Sequence, residues 1–241
     1  MSLWNLIPMS LQKSKIVNCF LLLVIIPLCL HAQNKNKIDN LKFCGWQLSD
    51  KQKISSNFQE QFDFLNVHEG DTIVDIGAQS GSYEGCFLAA HDNKSVVFIL
   101  VDIDAACLNR EKVNNMIAHY SKVKGDSIRN SFQIVQNTPD SLWLPLHHYQ
   151  KIWLFNTLHE IPNQQKMVKD INAILISGGE ITILEIPAKY EGQLHGGCHK
   201  PLLSLEKINA LFTSNGFRFA DKKLVTRKKH FDVFMARYIK E

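Results

Sequence analysis

The 241-residue chain lacks most of the signatures that would assign its class at once. It has no internal repeat and no low-complexity tract, which excludes a solenoid or a propeller. Twelve glycines and seven prolines show no periodic bias. There is no Cys-x-x-Cys pair, and six cysteines are too few for a disulfide scaffold. Charge of one sign is also scarce: 27 Lys+Arg stand against 23 Asp+Glu, a net charge of +4. The basic residues are spread, so the chain carries no electrostatic footprint for nucleic acid. The densest group, Arg227-Lys228-Lys229-His230, reads as a turn. No apolar run reaches the about 20 residues that a bilayer-spanning helix needs. What remains is ordinary globular composition, 45% hydrophobic and 21% charged, at the length of one larger α/β domain or two small ones.

The N-terminus reads as processing signal. Lys13 and Lys15 precede an apolar run from Ile16 to Leu30, and His31-Ala32-Gln33 leads into polar sequence. A basic segment, about 15 apolar residues and a small residue describe an export signal. Residues 1–32 are therefore read as a signal peptide cleaved after Ala32, residues 33–48 as a linker and residues 49–241 as the domain. The rivals are an uncleaved anchor and a lipid-modified Cys29, and only these would place the protein on a membrane. Export to the periplasm or the exterior is the expected location. Cleavage leaves Cys44, Cys86, Cys107 and Cys198, of which Cys86 and Cys107 lie in apolar helical patterns and are expected to act as small hydrophobes.

From Asp71 onward, strand and helix patterns alternate. Thr72–Asp75, Ser95–Val101, Ser131–Val135, Ile152–Phe155 and Glu180–Ile186 read as strands, the second a continuous apolar run of the kind buried on both faces of a parallel sheet. Tyr83–Ala90, Ala105–His119, Gln165–Leu175 and a segment from Ser204 to Asn215-Gly216 read as helices. Gln47–Val67 reads as one more helix. Phe217–Thr226 and His230–Ile239 are joined by too few residues for a crossover, so they form an antiparallel hairpin. The sum is an α/β fold, an open, doubly wound, mostly parallel sheet covered by helices. Trp153 and Phe155 are expected in its core.

The turn after the first strand carries the strongest functional signal. In Val74-Asp75-Ile76-Gly77-Ala78-Gln79-Ser80-Gly81, an apolar strand runs through a glycine-bearing turn into a helix. Gly77 lets backbone approach a ligand, and Gly81 opens a helix whose free N–H groups favour an anion. Ligands of open α/β sheets sit beyond the carboxyl ends of the strands. Asp102 ends the second strand, where an acidic residue accepts both hydroxyls of a ribose.

Four segments together resemble class I S-adenosylmethionine-dependent methyltransferases: Asp75-x-Gly77-x-x-x-Gly81, Val101-Asp102-Ile103, Asn156-x-Leu158-His159-x-Ile161-Pro162, and Gly178-Gly179-Glu180-x-x-x-x-Glu185. The resemblance covers Ser49 to Lys240. It implies a Rossmann-like seven-stranded sheet ending in an antiparallel hairpin, with S-adenosylmethionine as cofactor. It implies that Asp75, Gly77, Ala78, Gln79 and Gly81 cradle the methionine end, that Asp102 holds the ribose and that Ile103 packs on the adenine. Asn137 and Thr138 would meet the adenine edge, and Asn156 would line the mouth of methyl transfer. Two positions depart from the family pattern: Gln79 stands where glycine is common, and Asn137 where aspartate is common.

The acceptor leaves a thinner trace, because methyl transfer from a sulfonium is mostly a matter of alignment. His159 and Glu160 follow the fourth strand and are candidates to deprotonate or orient an acceptor. His195-Gly196-Gly197-Cys198-His199 follows the fifth strand, and His195, His199 and Tyr190 are candidates for acceptor contact. The His-x-x-Cys-His spacing offers soft metal ligands, but three close residues need a fourth from elsewhere, and no metal is assigned. The resulting expectation is methyl transfer to a small molecule. The alternative is an exported, non-catalytic binding module that keeps the fold, and a nicotinamide-dependent oxidoreductase ranks last because the turn lacks Gly-x-Gly-x-x-Gly.

Overall fold

A computed structural model describes residues 42–91, 95–139, 141–227 and 231–241. The expected signal peptide, Cys29, the first part of the expected linker and Lys228–His230 lie outside the described residues. No described helix is long and apolar enough to cross a membrane.

The elements run α1 (Lys51–Phe64), β1 (Thr72–Ile76), α2 (Ser82–Ala90), β2 (Val97–Asp102), α3 (Arg110–Lys124), β3 (Ser131–Gln136), β4 (Tyr149–Phe155), α4 (Gln164–Ile174), β5 (Leu175–Glu185), α5 (Leu205–Thr213), β6 (Phe217–Arg227) and β7 (Asp232–Lys240), with a single 3-10 turn at Leu158–Glu160. The seven strands form one sheet in the order β3-β2-β1-β4-β5-β7-β6. All pairs are parallel except β5–β7 and β6–β7, so the terminal hairpin is inserted antiparallel beside β5. This is the doubly wound α/β sheet expected from the alternating pattern.

The strand pleat sorts side chains onto two cores. Ile73, Phe98, Leu100 and Trp153 face α1, α2 and α3, while Val74, Ile76, Ile99, Val101, Ile152 and Leu154 face α4 and α5. Trp153 is accordingly core, and Phe155 is half-buried at its edge. On the second face, Met167, Val168, Ile171 and Ile174 of α4 pack with Ile208 and Phe212 of α5. Side-chain caps start four helices: Asp50, Asn109, Asn163 and Ser204 each accept a backbone N–H three residues on. α2 has none; its N-cap is Gly81 in the left-handed conformation.

Three sequence readings shift. The third helix starts at Arg110, not Ala105, because Asp104 folds the preceding residues into a turn of its own: it accepts Ala106 N through its side chain and Cys107 and Leu108 N through its carbonyl. Cys107 therefore sits in that turn, and it is not a free hydrophobe: it is disulfide-bonded to Cys44. Cys86 is free and buried as expected. The fifth strand begins at Leu175, and Gly178-Gly179 forms a bulge within it, where pairing with β4 slips between Tyr149 and Lys151.

The end of the expected linker is packed onto the domain. Phe43 is fully buried, Cys44 N donates to Ser80 Oγ, Trp46 N donates to Ser82 Oγ, and Tyr120 Oη donates to Trp46 O at 2.7 Å. Residues 43–48 thus form a strap across α2 and α3, fastened by the disulfide over a sequence separation of 63.

Candidate active site

The β1 turn is held almost entirely by backbone. Gly77, Gln79 and Gly81 all have positive φ (+83°, +52° and +77°). Gly77 N and Ala78 N both reach Val101 O, and Gln79 N donates to Asp102 Oδ2 at 2.8 Å. The other Asp102 oxygen accepts Asp104 N at 2.9 Å. Asp102 therefore ties the ends of β1 and β2 together, and its carboxylate keeps further acceptor capacity toward the cavity it lines. A Cβ on Gly77 would stand 2.2 Å from Thr157 Oγ1, so this glycine makes room for the β4 loop. The Gln79 side chain runs toward the strap, its Oε1 3.3 Å from the Cβ position of Gly45.

These strand ends surround a cavity of about 940 Å³ at the carboxyl edge of the sheet. Its lining includes Asp75, Gly77, Ala78, Gln79, Asp102 and Ile103, with Asn137 and Thr138 beside Asp102 after β3 and Asn156 after β4, on the other side of β1. Trp46 of the strap and Phe58 and Gln61 of α1 close one side, and Glu160, Ile186 and His195 close another. Ile103 is 58% exposed, an apolar side chain presented to the hollow.

Two buried acceptors in this wall have no partner among the described residues: Asp75 Oδ1 and Asn137 Oδ1. Asp75 faces α2, where Glu84 lies fully buried with both oxygens also unpartnered. Burial pushes the Asp75 carboxyl well above the ordinary carboxylate range, helped by the charges of Glu84 and Asp102. Burial likewise raises Glu84, and the two can hydrogen-bond when one carries a proton. The pair is thus a proton-sharing dyad beneath the turn, with acceptor capacity left over for a cationic or N–H-bearing ligand.

The opposite rim is built from side chains. His159, in the 3-10 turn after β4, is 5% exposed, and its Nδ1 lies 2.9 Å from Glu185 Oε2. Burial alone would lower the His159 imidazole, but Glu185, with Glu160 behind it, outweighs this and raises it. The His195 ring stands 4.5 Å from the His159 ring, and burial together with His159 lowers its pKa. His195 Nδ1 is 3.1 Å from Cys198 Sγ.

All ten residues expected at the cofactor line the cavity except Gly81, which opens α2 behind the turn. Of the five expected at the acceptor, Glu160 and His195 line it, and His159 is buried beside His195. His199 is exposed and Tyr190 is 68% exposed, neither among the lining residues. Sequence reasoning missed Glu84, the strap and the contact of Glu185 with His159. A lone acidic residue in the otherwise apolar run Ser82–Ala90 was the available signal for Glu84.

No protein-family model and no curated protein sequence matches the chain. Solved structures do. A SAM-dependent methyltransferase from Aquifex aeolicus superposes with a TM-score of 0.58 at 14% identity, over 86% of this chain and 98% of that one. A SAM-dependent methyltransferase from Methanosarcina mazei gives 0.56 at 15% identity, over 72% and 94%. The [4+2]-cyclase SpnF gives 0.60 at 11% identity, over 83% and 85%. At these identities the likeness is one of fold: the chain has the seven-stranded class I methyltransferase architecture.

Proposed function

We propose that the cavity binds S-adenosylmethionine and that the protein transfers its methyl group to a small-molecule acceptor. The observation that carries this reading is the set of acceptors left in one wall: Asp75 Oδ1 and Asn137 Oδ1, buried without partners, with Asp102 between them at the end of β2. A nucleoside with an amino-acid tail meets all three. Asn137 Oδ1 accepts from an adenine amino group, Asp102 accepts from ribose hydroxyls while it holds Gln79 N and Asp104 N, and the Asp75–Glu84 dyad, able to keep one negative charge, faces the cationic tail. Ile103 supplies apolar surface for the base. Bound here, the sulfonium supplies an electrophilic methyl group.

The residues at the other rim place the acceptor. Glu160 and His195 reach the cavity, and either can take a proton from an acceptor hydroxyl or amine as it is aligned. His159 does not reach the hollow; it positions His195, itself oriented by Glu185. Calorimetric titration of the protein with S-adenosylmethionine, its demethylated product and NAD tests the assignment. Micromolar binding of the first two alone is expected, and binding of none, or of NAD only, removes it.

Binding without transfer is the second reading. Its support is Gln79, a side chain held at φ +52° where the family commonly has glycine, and the expected export away from the cytosolic supply of the cofactor. The Cys44–Cys107 disulfide favours export, since such bonds persist in oxidising compartments. N-terminal sequencing of the processed protein tests this part: a start at Gln33 supports cleavage, and a start at Met1 opposes it.

A further inference from the structure

We propose that His159, His195 and Cys198 form a binding site for one zinc-class transition-metal ion beside the cavity. Three residues from two loops, one after β4 and one after β5, bring one donor atom each to within 4.8 Å of one another. His195 Nδ1 and Cys198 Sγ are already 3.1 Å apart. Zinc bonds of about 2.1 Å to nitrogen and about 2.3 Å to sulfur imply donor–donor edges of roughly 3.3–3.7 Å in a tetrahedron. His195 Nδ1 also accepts Cys198 N at 3.3 Å; ligation through Nδ1 would release that bond, and side-chain rotation in the His195–Cys198 loop would close the remaining separation.

The second, independent observation is His159 itself. Its side chain is buried, its Nδ1 is engaged by the Glu185 carboxylate, and its Nε2 is buried with no hydrogen-bond partner among the described residues. A carboxylate that receives the Nδ1 proton fixes the tautomer and aims the lone pair of Nε2, the arrangement that supports metal-bound imidazoles. The donor chemistry selects the metal class: two imidazoles and a thiolate suit zinc or a neighbouring soft ion, and do not suit magnesium or calcium. Glu185 and Glu160, whose Oε1 is 3.8 Å from His159 Nε2, add negative charge around the ion. On binding, Cys198 loses its thiol proton to solvent. Three protein ligands leave a fourth position for water or for an acceptor heteroatom, and His195 then orients the acceptor through the ion. The site stands whether or not the cavity takes S-adenosylmethionine.

The test uses the full chain, as the host processes it, purified without a polyhistidine tag, stripped with a chelator and titrated with Co²⁺. One equivalent should bind, with visible d–d bands and a near-ultraviolet thiolate-to-cobalt band, and Zn²⁺ should displace it. Cys198→Ser should abolish the thiolate band, and Cys86→Ala should keep it. His195→Gln should weaken Co²⁺ binding at least tenfold, and Glu185→Gln about 10–100-fold, the usual effect of removing an outer carboxylate. Circular dichroism establishes that the loop variants, Cys198→Ser and His195→Gln, remain folded. Absence of a thiolate band in the parent protein, or a band that survives Cys198→Ser, overturns the proposal.

Discussion

At the amino end of the sheet, Lys151 of β4 is buried, but its Nζ reaches Asp71 at 2.7 Å, Glu180 at 3.8 Å and the carbonyl of Asn66. At the carboxyl end, Asp75 and Glu84 are buried as deeply, share at most a proton, and leave three oxygens unpartnered. Burying charge is costly unless it is paired; the first arrangement pairs its cation, whereas the second leaves carboxyl oxygens unpartnered among the described residues. The contrast agrees with the rule that open α/β sheets bind at their carboxyl edge.

The contrast can be broken or sharpened by substitution. The largest effect is expected from Lys151→Ala, which takes the buried ammonium away from Asp71 and Glu180 and should cost about 3–5 kcal/mol of stability, read by denaturant unfolding. A loss below about 1 kcal/mol would show that the amino-end network is not the closed system described. Asp102→Ala should weaken S-adenosylmethionine binding by about 1.5–3 kcal/mol, the range for hydrogen bonds to a charged group. Unchanged calorimetric affinity would remove Asp102 from the ribose. Asn137→Ala should cost about 0.5–1.5 kcal/mol of the same binding, as befits a neutral acceptor. Its effect should vanish for a ligand that lacks the adenine amino group.

The smallest effect, and of opposite sign, is expected from Glu84→Gln. Both carboxyls of the dyad are raised by burial. Their contribution to stability is therefore fully present below the ordinary carboxylate range and is lost as pH rises through the raised values. The amide cannot ionise and can donate to Asp75, so the unliganded variant should gain up to about 1 kcal/mol near neutral pH, or roughly 2–4 °C in Tm. Thermal melts across pH should show a shallower decline toward alkaline pH than the parent protein; an unaltered slope would mean that the dyad does not titrate as described.

Much of the sheet was legible because its strands are apolar runs bounded by turn residues, and the hairpin because its connection is short. The boundaries that moved were set by side-chain chemistry that periodicity does not register. Asp104 and Asn109 each claim backbone N–H groups and delay α3, while the segment around Gly178-Gly179 absorbs three extra residues inside a strand, five steps from Leu175 to Glu180 against two from Tyr149 to Lys151, and does not end it. The turn-side residues were legible because strand ends put them in place one after another. On the opposite rim His159, Glu160 and His195 were legible singly, but the contacts of Glu185 with His159 and of His159 with His195 were not, because they join residues 26 and 36 positions apart. Cys107 was misread for the same reason: nothing near it in sequence announces Cys44.

The space that Gly77 leaves is filled by the hydroxyl and methyl of Thr157, which follows Asn156 and stands two residues before His159. The β1 turn and the loop after β4 therefore mesh at this contact, like two teeth of one gear. One added methyl group at Gly77 would therefore have to move Thr157, and with it the loop that carries Asn156 and His159, so a single small substitution should disturb both rims of the hollow at once.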